Sequence, residues 1–83
     1  MAVKVVLSTG SSSEFTGGRK EFEIEARSVR GVIRAMEADF PGIGEFLEAE
    51  TMVAIDGELF EDGLYQPLRD GCELFFLPKL EAG

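Results

Sequence analysis

The chain changes its hydrophobic period once, and that change constrains its fold more than any other feature. Over residues 19–26 the side chains alternate, with Phe22, Ile24 and Ala26 on one face and Glu21, Glu23 and Glu25 on the other. Successive side chains of a strand point to opposite faces, so this segment is a strand with one buried and one solvated, acidic side. Immediately afterwards the period becomes helical. Val29, Val32, Ile33, Met36 and Phe40 recur at three- and four-residue spacing behind Ser28, whose side chain suits an N-cap. Gly31 weakens this helix by about 1 kcal/mol relative to Ala, and Phe40-Pro41-Gly42 stops it. One amphipathic helix over residues 28–39, entered from a half-buried strand, needs a sheet against which to bury its stripe.

The rest of the chain supplies that sheet. Residues 3–7 are apolar and β-branched, with Val3, Val5 and Leu7 on one side, and the Gly/Ser/Thr-rich stretch 9–18 reads as the loop of a hairpin. After the helix, Ile43, Phe46 and Leu47 suggest a short further turn beneath the core, with Glu45, Glu48 and Glu50 outward. Strand character returns at 51–55, and Asp56-Gly57 is a strong hairpin signal because a type I′ turn needs positive φ at both central residues. Residues 58–60 return. Asp62-Gly63, Gln66-Pro67 and Asp70-Gly71 mark turns, and residues 72–77 form a last strand with Cys72, Leu74 and Phe76 on one face and Phe75 and Leu77 on the other. The order is ββαβ(β)β. A right-handed crossover should place the two terminal strands parallel and adjacent, with Val5, Leu7, Ile24, Val32, Ile33, Met36, Leu74 and Phe76 buried.

Composition removes most enzymatic readings. The 83 residues make one small domain, which buries only about 60–65% of its unfolded surface. The chain has no His, so it lacks the commonest general base and neutral metal ligand, and its single Cys allows no internal disulfide. The net charge of −8 opposes binding to phosphate backbones and anionic lipid and favours a basic partner groove. The N-terminal apolar run is too short for a signal segment or a membrane span, so the expected location is the cytoplasm.

Several local groupings resolve into structural roles. The 9–18 loop matches neither phosphate-binding glycine pattern. The glutamates of 21–25 are explained by strand alternation. Asp56, Glu58, Glu61 and Asp62 lack calcium-loop spacing, so no metal is expected. Cys72 has no His to activate it and reads as a small buried hydrophobe. Phe75 and Leu77 leave two options open: burial by residues 43–47 or Leu80, or an apolar surface beside the tail. That tail, Pro78-Lys79-Leu80-Glu81-Ala82-Gly83, follows the 1–77 domain and ends on two small residues.

Taken together, Met52-Val53-Ala54-Ile55-Asp56-Gly57, the run from Leu68-Arg69-Asp70-Gly71-Cys72 through Glu73-Leu74-Phe75-Phe76-Leu77-Pro78, and the small-residue terminus resemble the MoaD/ThiS family of sulfur carriers. Phe15-Thr16-Gly17-Gly18 and Phe40-Pro41-Gly42-Ile43 resemble its cysteine-synthesis members most. The resemblance implies an α+β, β-grasp (ubiquitin-like) fold, with a mixed sheet of four to five strands on one main helix. It also implies a carrier rather than an enzyme, monomeric when free and with no bound cofactor. By this resemblance an E1-like adenylating enzyme spends ATP on the Gly83 carboxylate. A sulfur donor then makes a thiocarboxylate, and a sulfur-accepting synthase in molybdopterin, thiamine or cysteine synthesis consumes it. Residues 78–82 would thread the partner site, and Leu77, with Phe75, would face the partner. The family usually ends Gly-Gly, whereas this chain ends Ala82-Gly83. A modifier joined to lysines through Gly83, and a binding module without tail chemistry, are the other two readings.

Overall fold

The computed structural model describes residues 2–8, 15–60 and 66–78. Its strands are β1 (Ala2–Leu7), β2 (Glu21–Glu25), β3 (Thr51–Ile55), β4 (Glu58–Phe60) and β5 (Glu73–Pro78), and its helices are α1 (Val29–Asp39) and α2 (Ile43–Glu50). They form a single five-stranded sheet in the order β2-β1-β5-β3-β4. β1 and β5 pair in parallel and the other neighbours are antiparallel. This is the β-grasp arrangement, with the terminal strands adjacent as the crossover argument requires.

The core lies between one face of the sheet and the two helices. Val3, Val5, Leu7, Phe22, Val53, Leu74 and Phe76 project from the strands toward Val29, Val32, Ile33 and Met36 of α1 and Ile43 and Leu47 of α2. Seven of the eight residues expected in the core are buried, and Ile24, one residue from the end of edge strand β2, packs against it only partly. The Ser28 side chain accepts from the Gly31 amide at 3.1 Å, capping α1 as its residue type suggests. At the Asp56-Gly57 turn both residues have positive φ, 49° and 87°, as the type I′ reading demands.

Two differences from the sequence reading have local causes. Strand β2 spans Glu21–Glu25 and not 19–26, and Arg19 instead lays its guanidinium 4.5 Å from the centre of the Phe22 ring. The short turn after Pro41 is a full helix of eight residues. Its N-cap, Gly42, offers no side chain, and Glu37 of α1 takes over that role: its carboxylate oxygens accept from the Gly42 and Gly44 amides at 2.8 and 2.9 Å. A carboxylate at a helix N-terminus satisfies orphan amides and suits the helix dipole.

Candidate functional site

Strand β5 sits at the middle of the sheet, so both its faces are set by neighbours. Leu74 and Phe76 point to the helices and are wholly buried, whereas Phe75 and Leu77 point the other way and are half-buried. Register then decides what surrounds them. Parallel pairing places Val6 of β1 beside Phe75. Antiparallel pairing places Ala54 of β3 beside Phe75 and Met52 beside Leu77. Strand β4 adds Leu59 beside Ala54. The result is an apolar row, Val6-Phe75-Ala54-Leu59, crossing four strands, with a second pair, Met52-Leu77, nearer the end of β5.

This face is open. None of these six residues belongs to the helix-side core cluster. Leu59 is 58% exposed, the one large hydrophobic so exposed among the described residues. Single exposed apolar side chains are ordinary, but Leu59 ends a contiguous apolar row in which Val6 and Phe75 are half-buried and Ala54 is buried. The burial of Phe75 and Leu77 by residues 43–47 is excluded, since Ile43 and Leu47 pack in the core on the other side of the sheet.

An acidic border lies along β2. Glu21 pairs with Val6, Glu23 with Lys4 and Glu25 with Ala2, and Glu73 flanks Lys4 from the β5 side. The Lys4 ammonium lies 3.2 Å from a Glu21 carboxylate oxygen. That hydrogen bond, the Glu21 charge and the Glu73 charge, in that order, hold its pKa above the usual lysine value. The face thus has an apolar centre and a negative margin.

Pro78 is the last residue of β5 and lies opposite Thr51 of β3. Lys79, Leu80, Glu81, Ala82 and Gly83 lie outside the described residues. Leu77 is the last side chain of β5 on this face.

The remaining candidates have structural explanations. Cys72 is buried within the core cluster. Asp56 ties the β3–β4 hairpin to β5: its carboxylate accepts from the Glu73 amide at 3.0 Å, and its own amide donates to the Glu73 carbonyl at 3.0 Å. Among the described residues no group of three or more acidic, Cys or His side chains could hold a metal ion. No helix there is long and apolar enough to cross a membrane. Sequence reasoning missed Val6, Met52, Ala54 and Leu59 as members of this face. Each occupies the off-core position of its strand, but only cross-strand register shows that they adjoin.

A model of the ThiS family matches residues 6–80. A search of the curated proteins finds no match. Among solved structures, one chain of the Amycolatopsis orientalis BexX/CysO complex is 29% identical, with a TM-score of 0.82, covering 99% of this chain and 100% of that one. The crystal structure of Mycobacterium tuberculosis CysO, described as an antigen, gives 26% identity and a TM-score of 0.80 over 94% of this chain and 99% of that chain. The complex of subunits 1 and 2 of molybdopterin-converting factor from Helicobacter pylori 26695 contains a chain 26% identical, with a TM-score of 0.68, covering all of both chains.

Proposed function

The chain belongs to the ThiS family, and from that premise we propose that it is a sulfur carrier whose reacting group is the carboxylate of Gly83. An activating enzyme of the adenylating type would join this carboxylate to the AMP moiety of ATP, releasing pyrophosphate. Sulfide-level sulfur from a donor would attack the acyl carbon and expel AMP, leaving a thiocarboxylate that a synthase consumes. The carrier brings no catalytic residue and no resident cofactor, and ATP is a substrate of its partner. Glycine suits the acyl position because no Cβ obstructs approach to the carbonyl carbon.

The observation that carries this reading is the apolar row on the open face, which borders the strand that leads into the tail. A partner seated on Phe75 and Leu77 would hold the domain while residues 78–82 enter its active site. Its contact surface would be apolar at the centre and basic opposite Glu21, Glu23 and Glu25. Protein partners are also the setting of two similar chains, each solved in a complex. Synthesis of cysteine or of molybdopterin is the proposed destination of the sulfur, and the cytoplasm the proposed setting.

The test is ATP–pyrophosphate exchange with the activating enzyme from the same organism, followed by intact mass. Wild type should support exchange and gain the mass of sulfur replacing oxygen. Removing Gly83 shortens the reach by about 3.3–3.6 Å, far more than acyl transfer geometry tolerates, so exchange should vanish. Ala82→Gly removes a methyl near the reacting carbon and should keep or raise it. Normal exchange without Gly83 would discard the carrier reading, and higher-mass adducts on other proteins would replace it with a modifier.

A further inference from the structure

Edge strand β2 carries backbone groups that the sheet leaves unpaired. The Leu7 amide donates to the Lys20 carbonyl at 2.8 Å, and the register continues from there through Val5 opposite Phe22 and Val3 opposite Ile24. Hydrogen-bonded and non-bonded pairs alternate along an antiparallel ladder, so Phe22 and Ile24 direct their backbone groups at β1. Those of Glu21, Glu23 and Glu25 point outward. The far side of β1 agrees: the Lys4 amide, opposite Glu23, turns away from β2 and donates to the Cys72 carbonyl at 3.0 Å. Among the described residues no strand pairs with the outer side of β2. The strand has five residues and no proline, whereas β4 at the other edge has three.

One end of this edge is already closed. Arg19 Nε donates to the Glu21 carbonyl at 3.3 Å, with its guanidinium over the Phe22 ring. The open stretch is therefore Glu23–Glu25, and its charge is negative. Lys4 pairs with Glu21, and Arg19 and Lys20 precede the strand, whereas the Glu23 and Glu25 carboxylates make no ion pair among the described residues. On the helix side of the same strand the surface is apolar. Ile24 is half-buried there, and Phe22 meets Phe40 edge to face with ring centroids 5.6 Å apart.

We propose that the Glu23–Glu25 edge binds a partner segment as an added strand, one that alternates basic and apolar residues. An extended chain supplies the donors and acceptors that the outward backbone groups lack. The alternation follows from the pleat. Side chains of the added strand beside Glu23 and Glu25 fall on the acidic face and are lysine or arginine, while those between them lie beside Ile24 and are apolar. A second copy of this chain fits poorly. Self-pairing of β2 would set glutamate opposite glutamate, and like charges directly opposite destabilise a sheet. The edge is distinct from the apolar row on the open face, and strand addition needs neither Gly83 nor an activating enzyme, so this proposal and the carrier reading fail separately.

The experiment titrates the isotopically labelled full chain with an end-capped heptapeptide that alternates valine and lysine, and follows amide shifts and hydrogen exchange. Exchange should slow at Glu23 and Glu25, whose amides gain acceptors, and change little at Phe22 and Ile24, whose amides already bond to β1. Only one set of peptide backbone nitrogens, those of the lysines or those of the valines, can face the edge. Methylating one set should therefore abolish binding and methylating the other should spare it, with the charge unchanged in both. Glu23→Lys combined with Glu25→Lys should weaken binding about tenfold or more, with thermal unfolding showing that the variant remains folded. Arg19→Ala frees the Glu21 carbonyl and removes a like charge, and should tighten binding at least about twofold. Equal affinity of the two methylated peptides would overturn the proposal, as would unchanged affinity in the folded lysine variant or shifts centred on Phe75 and Leu77. Slowing at Glu23 and Glu25 on raising the protein concentration alone would overturn it in favour of a second copy.

Discussion

Phe75 and Phe76 are the same amino acid, one peptide bond apart on one strand, and they do opposite things. Phe76 is wholly buried against the helices, while Phe75 is half-buried on the open face between Val6 and Ala54. Their neighbours differ as well: the helix-side layer is closed by α1 and α2, whereas the opposite layer ends in solvent and acidic margins. The contrast teaches that residue type says little about role in a central strand. Parity along the strand and the covering of each face decide whether an aromatic ring stabilises the fold or remains available to a partner.

The comparison breaks most visibly at the core. Phe76→Ala should cost about 3–5 kcal/mol in urea denaturation, through lost burial and the cavity left behind. Phe75→Ala should cost clearly less, and equal losses would mean that the open face is not open. Leu77→Asp sharpens the contrast from the other side. It should change stability by no more than about 1 kcal/mol, yet weaken partner affinity at least about tenfold in calorimetric titration, because a charge would sit in the apolar centre of the contact. A large loss of stability would return Leu77 to the core.

Smaller effects test the margins. Leu59→Ser, at the exposed end of the row, should leave the unfolding midpoint within about 0.5 kcal/mol of wild type while reducing partner affinity modestly. Lys4 gives the least. Because its pKa is raised in the folded state, its contribution is fully present below the unfolded value of 10.5 and is lost as pH rises through the folded value. Stability followed by denaturation from neutral to strongly alkaline pH should therefore fall slightly more steeply above that value in wild type than in Lys4→Met.

Much of this architecture was legible because the signals are local. Alternation at Phe22-Glu23-Ile24 marks a strand, the Val29-Val32-Ile33-Met36 spacing marks a helix and its inner face, and Asp56-Gly57 needs only its own backbone preferences to specify a turn. What escaped depends on contacts distant in sequence. Helix α2 is capped by Glu37 from the preceding helix, so its own sequence looked too poor for more than a turn. The same reason hid most of the candidate site. Phe75 and Leu77 could be picked out by parity within β5, but Val6, Ala54 and Leu59 join them only through the register of three other strands.

The parallel pairing of β1 and β5 also determines how the molecule responds to force. Tension applied through Pro78 runs along β5, and the hydrogen bonds that hold β5 to β1 and β3 lie across that direction. They must shear together, whereas β4, three residues long at the edge of the sheet, can be peeled off one bond at a time. Resistance to such forced extraction is a matter of unfolding rate rather than of equilibrium stability. In the proposed reading, a partner that grips residues 79–83 would draw them into its channel while the domain stops at the entrance as a knot stops a thread.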